Sequence, residues 1–458
     1  MAKAKKEAAL TPEERLQAAL VPDWEWPYKL PENWCWTRHN SIMDIVGGAQ
    51  PEKAFFIREP KEGYVQLYQT RDYGENPVPV YIPQKYATKT TDEGDILLAR
   101  YGGSLGKVFR AHKGAYNVAL AKVIILYPEV VDDEFLYLYY YSHFYQDFCV
   151  KAGYGRSAQA GFNKSDLNEL LFPLPPFIEQ QRIVDRIESL FSKLDEAKEK
   201  AQAVVDSFED RKAAILHKAF TGELTKKWRK CNGIKRENWR IVTLGELIVN
   251  GPQNGLYKSQ AAYGNGVRIL RIDSFYDGYV EPWNSLKKLT LNDDEIALYR
   301  LNVGDIIINR VNSMPYLGKS ALIRDLPEAC VFESNMMRLS LDRDKSMPEY
   351  IIRYLNSADG LVELRKNAKQ AVNQASINQQ DVKNVIIRLP SKDEQIEIVD
   401  ILGRLIDKEK QSQAAAEAVL AQIDLMKKSI LARAFRGELG TNDPTEESAV
   451  ELLKKIIQ

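Results

Sequence analysis

Two long stretches of the chain place apolar residues at steps of four and three, the stripe of a helix that packs along a partner helix. The first runs Ile183, Ile187, Leu190, Leu194, Ala197, Ala201, Val204 and Phe208, breaks at Arg211 and resumes at Ile215. The second puts Ile398, Leu402, Leu405, Ala416, Val419, Ile423, Met426 and Ile430 on one seam, with Glu409 and Ser412 as polar interruptions. Each stretch starts after a proline (Pro176, Pro390) and ends near a glycine (Gly222, Gly437), residues suited to opening and closing a helix. A helix from about Glu179 to Ala219 would be ~60 Å long at 1.5 Å per residue, and with a single apolar stripe it needs a partner. Short strand-like runs around Asp95–Ala99, Lys122–Leu126, Arg268–Ile272 and Asp305–Asn309 sit among Gly, Pro and Asn turns. An aromatic-rich helical stretch follows them in each half (Asp133–Val150 and Pro348–Lys366).

The two stripes belong to a repeat. Leu174-Pro175, Glu179-Gln180 and Ile183-Val184-Asp185 recur as Leu389-Pro390, Glu394-Gln395 and Ile398-Val399-Asp400, each 215 positions later (389 − 174). The same shift maps Ile215–Leu224 onto Ile430–Leu439, with seven of ten positions identical, so the connecting element has a constrained length. Upstream the offset drifts: Glu32-Asn33-Trp34 matches Glu237-Asn238-Trp239 at 205, Gly94-Asp95-Ile96 matches Gly304-Asp305-Ile306 at 210, and Gly106-Lys107 matches Gly318-Lys319 at 212. Insertions accumulate there, and the pattern is the duplication of one large unit, not a solenoid.

The expected fold is therefore α+β: two mixed α/β globular regions separated by two long antiparallel coiled-coil helices, related by a pseudo-twofold internal repeat. The helix pair is then a spacer. A core helix of an ordinary domain is the plainer alternative, although a generic core does not readily give two such stripes at constant offset. A basic linker (Lys226–Lys230, then Lys235-Arg236) joins the copies, and Gly440–Gln458 is a polar segment with room for a short closing helix.

Composition narrows the function without deciding it. The 458 residues allow about three domains at roughly 150 residues each. Lys plus Arg and Asp plus Glu are both 63, so the formal charge is zero and any nucleic-acid surface must be a local patch. No run approaches the ~20 apolar residues of a membrane span, and MAKAKKEAAL at the N-terminus has no apolar core, which suggests a cytoplasmic protein. Cys35, Cys149, Cys231 and Cys330 form no C-x-x-C pair, and His39, His112, His143 and His217 lack metal-ligand spacing.

Catalytic motifs are missing. The segment Gly102–Lys107 fails as a phosphate loop because Tyr101 and Val108 occupy the places of the first Gly and the closing Ser/Thr; Gly318-Lys319-Ser320 has Ser313 where that Gly belongs. No Gly-rich S-adenosylmethionine loop is paired with an Asn/Asp-Pro-Pro-aromatic motif, since Leu174–Phe177 lacks the leading amide or acid, and no nucleophile elbow is present. In front of each helix, however, lie loops rich in side chains that read base edges and hold phosphates. The first offers Tyr154, Arg156, Ser157 and Gln159 before Asn163; the second offers Lys369, Gln370, Asn373, Gln374 and Ser376. A further set is Arg100, Tyr101 and Lys107 against Arg310, Asn312 and Lys319, beside the Gly-Asp-Ile strands. An ordinary solvated loop has the same composition.

A globular region, L-P-x-x-x-E-Q, a long helix closing in A-F-x-G-E-L, then the same series again, resembles the specificity subunit of type I restriction-modification systems. The resemblance covers nearly the whole chain, including the openings at Pro31–Trp34 and Glu237–Trp239. In its terms, residues 1–26 are an N-terminal extension, 27–175 the first target recognition domain, 176–225 the central spacer helix and 226–238 the linker. Residues 239–389 are the second recognition domain, 390–439 the distal spacer helix and 440–458 the tail. The resemblance implies a non-catalytic subunit that reads an asymmetric bipartite site in double-stranded DNA. It also implies docking of two adenine-N6 methyltransferase subunits and two ATP-dependent restriction subunits. S-adenosylmethionine, ATP and magnesium then belong to those partners, and this chain holds no cofactor. The rivals are a coiled-coil scaffold that does not read DNA, the recognition module of a methylation-only complex, and an enzyme fused to recognition domains.

Overall fold

In the computed structural model, which describes residues 11–154, 161–275, 278–280 and 282–457, each half of the chain builds one four-stranded and one two-stranded sheet of corresponding order. The chain divides into two units, residues 1–200 with 418–458, and residues 201–417. The first unit holds a four-stranded antiparallel sheet in the order Met43–Gly47, Leu120–Ile125, Ile96–Ala99, Val108–Arg110. The second holds its counterpart, Ile248–Asn254, Met336–Leu341, Ile306–Asn309, Ser320–Leu322. The strands Ile96–Ala99 and Ile306–Asn309 are buried at all four positions, as expected for short continuous apolar runs. The Gly-Asp-Ile triplet opens both: Gly94 and Gly304 take φ of +87° and +97°, where a side chain is strained. The next aspartate caps the turn, Asp95 accepting from the Asp92 amide and Asp305 from the Asn302 amide at 2.8 Å.

A second close approach explains two further glycines. A Cβ on Gly48 would lie 2.1 Å from the Asn117 carbonyl oxygen, and one on Gly255 2.2 Å from that of Glu333. Both neighbours are backbone and cannot swing aside. Gly255→Ala is therefore expected to destabilise the second unit by about 1–3 kcal/mol, read as a lowered urea midpoint. An unchanged midpoint would show that the turn gives way freely.

In each unit a two-stranded sheet leads to the long helix. Cys35–Arg38 pairs with Leu171–Leu174, and Arg240–Thr243 with Ile386–Leu389, in matching register: Trp36 opposite Pro173, Ile241 opposite Arg388. The central element is not one helix over 176–225 but two, Phe177–Asp206 and Phe208–Phe220, interrupted at Ser207. The distal element is continuous from Lys392 to Ala434. The first stripe is covered as read, with Ile183, Ile187, Ala201 and Phe208 buried. The second is corrected by one position over part of its length. Val419 and Met426 are 41% and 47% exposed, and Leu420 and Lys427 take the covered positions between the buried Ala416, Ile423 and Leu431. The run from Ala414 to Met426 is apolar on several faces, so periodicity alone could not choose. The polar interruptions also find a use: Arg211 Nε donates to Glu409 Oε2 at 2.7 Å in the second unit. In the first, Lys427 pairs with Asp195 at 2.6 Å and stands over the Phe191 ring.

The Glu-Gln and Glu-Asn-Trp repeats turn out to be one device. Gln180 donates to the Val130 and Pro175 carbonyls and accepts from the Asp132 amide; Gln395 donates to those of Lys345 and Pro390 and accepts from the Met347 amide. Beside them, Trp34 Nε1 donates to Glu179 and Trp239 Nε1 to Glu394, both at 2.8 Å. The two carboxylates are neutralised differently. Glu394 pairs with the buried Arg229 at 2.6 Å and accepts from Thr225. Glu179 accepts from the neutral Asn442 and Thr441, and burial raises its pKa despite these bonds. A raised folded pKa means that the Glu179 contribution is complete below the ordinary value of 4.5 and is lost as pH rises through the folded value. Between that acid limit and neutrality, the wild type should lose stability relative to Glu179→Gln, whose single amide oxygen still accepts from Trp34 and Asn442 without a charge. Parallel stability curves in urea across that range would contradict this.

Candidate nucleic-acid interface

In the second unit, strand Val311–Asn312 pairs with Gln374–Ser376, which pairs in turn with Lys369–Ala371. The hairpin turns through Val372-Asn373, and Asn373 adopts φ +67°, a conformation asparagine tolerates better than most residues. Only Ala375 of this hairpin is buried; Lys369, Gln370, Asn373 and Gln374 are exposed and Ser376 is half-buried. Six of the residues singled out from sequence, these five and Asn312, thus share one small polar sheet. An exposed amide or ammonium on such an edge is free to meet a base edge or a phosphate.

The first unit carries the same junction. Tyr101 bridges Gly161 as Val311 pairs with Ser376, and the Phe162 amide donates to the Arg100 carbonyl as Ile377 does to that of Arg310. Tyr101 Oη donates to Asn163 Oδ1 at 3.3 Å. Arg156, Ser157 and Gln159 lie outside the described residues, as does the side chain of Tyr154, whose backbone closes the helix His143–Tyr154.

Several of the remaining residues have local structural partners. Arg100 donates through Nε and Nη2 to the Val118 carbonyl and stacks over Tyr101; Arg310 donates through Nη1 to the Ser334 carbonyl. Each arginine therefore braces the equivalent turn of its own unit, before Leu120–Ile125 in the first and before Met336–Leu341 in the second. Asn163 heads the turn Lys164–Glu169, with its amide N–H donating to Asp166. The Asn312 Oδ1 accepts from the Ser313 amide. Lys107 is exposed. Lys319 stands over the Phe275 ring in a cleft with Lys212 and Tyr279, apart from the hairpin's sheet. Sequence reasoning passed over Tyr316, 56% exposed in the turn Met314–Tyr316 directly after Asn312. Arg365 pins this turn through the Pro315 and Leu317 carbonyls, which leaves an aromatic face beside the polar strand on which a base could stack. The signal was an aromatic in a Pro-containing turn beside the polar strand.

A family model described as the type I restriction modification DNA specificity domain matches residues 31–205 and again 236–418. The type I restriction enzyme EcoKI specificity subunit of Escherichia coli strain K12 is 27% identical over 457 residues, covering 93% of this chain and 96% of that one. The StySPI specificity subunit of Salmonella potsdam is 27% identical with the same coverage. Among solved structures, a chain from a study of type I R-M complex assembly superposes with a TM-score of 0.64 at 21% identity, over 90% of this chain and all of that one. The HsdS subunit from Thermoanaerobacter tengcongensis gives 0.60 at 22%, over 90% and 99%. These two likenesses bear on the fold.

Proposed function

The chain belongs to the type I restriction-modification DNA specificity family, and from that premise we propose that it reads an asymmetric bipartite DNA site, one block with each unit. The observation that carries this reading is the polar junction present in both halves, with Arg100 and Asn163 repeated as Arg310 and Asn378 but different side chains between them: Tyr101 in one, Asn312, Lys369, Gln370, Asn373 and Gln374 in the other. Equal scaffolds with unequal edges are what two different half-sites require. The long helices serve as an antiparallel coiled-coil spacer under a pseudo-twofold repeat. The constant 215-residue offset and the pairing of seam residues, Arg211 with Glu409 and Asp195 with Lys427, support that role. Their sum along the two helices stays nearly constant, as opposed chain directions require.

In this reading the chain performs no chemistry. It positions two adenine-N6 methyltransferase subunits, and two ATP-dependent restriction subunits where these are present; S-adenosylmethionine, ATP and magnesium act in those partners. Its formal neutrality fits a subunit whose partners supply part of the phosphate-facing charge. The test is genome-wide N6-methyladenine mapping in a host carrying the cognate methyltransferase subunit, with and without this chain. A motif of two short unlike blocks around a fixed gap, present only with the chain, is the expected result. Identical methylation in both hosts would favour a scaffold that does not read DNA.

A further inference from the structure

The repeat exposes a groove in the second unit whose equivalent in the first is already filled. In the first unit, Phe435 packs on Phe135 and Tyr139, and Tyr139 Oη donates to the Leu171 carbonyl. In the second, Phe220 packs in the same way on Tyr350 and Tyr354, and Tyr354 Oη donates to the Ile386 carbonyl. Over the first cluster lies the segment that runs from Leu20 to Leu30, ahead of the first strand. Tyr28 Oη donates to the Phe435 carbonyl at 2.9 Å, and the Tyr28 ring meets Trp36 and Phe144 while Arg436 stands over it. The Val21 amide donates to the Trp36 carbonyl and Leu20 bridges Thr37, so the segment also lines the outer edge of the strand Cys35–Arg38. Trp36 is left 1% exposed.

The second unit has no such cover. At the offset of 205, Trp24–Tyr28 fall on Arg229–Gly233, which belong to the linker that closes on Glu394. Ile241, in the place of Trp36, is 75% exposed; Val362 and Ile386 beside it are 67% and 42% exposed. Val362 and Ile386 join His217, Phe220 and Tyr354 around a cleft of about 390 Å³, and Ile241 stands opposite Arg388 of the same lining. Among the described residues, no strand flanks the outer edge of Arg240–Thr243 and none donates to the Phe220 carbonyl. An open strand edge beside apolar side chains is a template for an added strand.

We propose that this groove receives an extended, aromatic-bearing segment of another protein of the assembly, laid along Arg240–Thr243 with a Tyr or Trp ring where Tyr28 stands in the first unit. The chemistry is read from the segment that fills the equivalent place, whose Trp26 and Tyr28 supply aromatic rings with a donor at the edge. The rim carries both signs, Arg388 on the near side and Asp359 and Glu363 on the far one. A second copy of this chain is a poor occupant, because its own segment is committed, with Val21 and Leu30 only 4% and 5% exposed. The inference rests on the proposed function only in assuming a multi-subunit assembly.

Hydrogen exchange of the full chain, alone and in the assembly reconstituted with methyltransferase and restriction subunits, tests it, with Val362→Asp as the variant. The expected result is at least ten-fold slower exchange at 240–243 and 359–363 on assembly. That protection should be lost in the variant, which should also retain one partner less well on gel filtration while melting within a few degrees of the wild type. Unchanged exchange at both segments on assembly would overturn the proposal. So would protection in the isolated chain that grows with concentration as the mass doubles, because that outcome assigns the groove to a second copy. Protection of the groove in an assembly that methylates no defined sequence would sink the DNA-reading function and leave the docking site standing.

Discussion

Replacing Glu394 by alanine is expected to cost the second unit about 3–5 kcal/mol, the penalty for stranding a buried charge. The side chains of Arg229 and Glu394 are 7% and 0% exposed, so neither is relieved by solvent. Without the carboxylate, Arg229 keeps only Thr225 Oγ1 and the Gly222 carbonyl as acceptors, and Trp239 Nε1 loses its bond as well. Glu394→Gln should be nearly as damaging, because an amide satisfies the indole but not the guanidinium charge. At Glu179, whose partners are neutral, the same Glu→Gln change should be mild. Urea denaturation of the four single variants, two alanine and two glutamine, reads the contrast directly. Equal losses for Glu394→Gln and Glu179→Gln would show that the Arg229 charge contributes nothing.

The second large effect concerns recognition. If the hairpin at 369–376 reads bases, Gln370→Ala and Gln374→Ala should each cost about 1–3 kcal/mol at one position of the target, roughly ten- to a hundred-fold in discrimination. The change should be confined to one block of the motif, leaving the other block intact. Asn373 needs a different substitution, because alanine at φ +67° would strain the turn. Asn373→Gly keeps the turn and removes only the side chain. N6-methyladenine mapping of hosts carrying each variant checks this. A motif unchanged in both blocks would reduce the hairpin to a solvated loop. Arg310→Ala makes a useful control: its guanidinium braces the Ser334 turn, so it should lower stability as well as altering reading.

Much of the architecture is legible in the chain because periodicity and repetition are one-dimensional. The stripe at Ile183–Phe208, the offset at Glu179 and Glu394, and the turn at Gly94 and Gly304 need no partner to be recognised. What pairs at a distance is not legible. Arg211 and Glu409 read as flaws in two separate stripes and are in fact bonded to each other. Val419 and Met426 read as seam positions because Leu420 and Leu425 beside them are equally apolar, and only packing distinguishes Leu420 from Val419. The helix break at Ser207 left no glycine or proline to announce it. At the interface, composition located the polar loops but could not separate a guanidinium that braces a turn, as in Arg100, from one that is free to read. Nor could it show that the hairpin takes Val311–Asn312 as its third strand.

The closing of Glu179 by Thr441 and Asn442, together with Ala449, Leu453 and Ile457 in the same core as Trp34 and Trp36, carries a consequence for biosynthesis. Residues 201–417 leave the ribosome with their unit complete, whereas the unit begun at the N-terminus waits for sequence made after it. The half translated first is the half that matures last. A released chain that stops near residue 440 would carry a finished second unit and a first unit whose apolar floor is still bare, the form a chaperone or protease would engage.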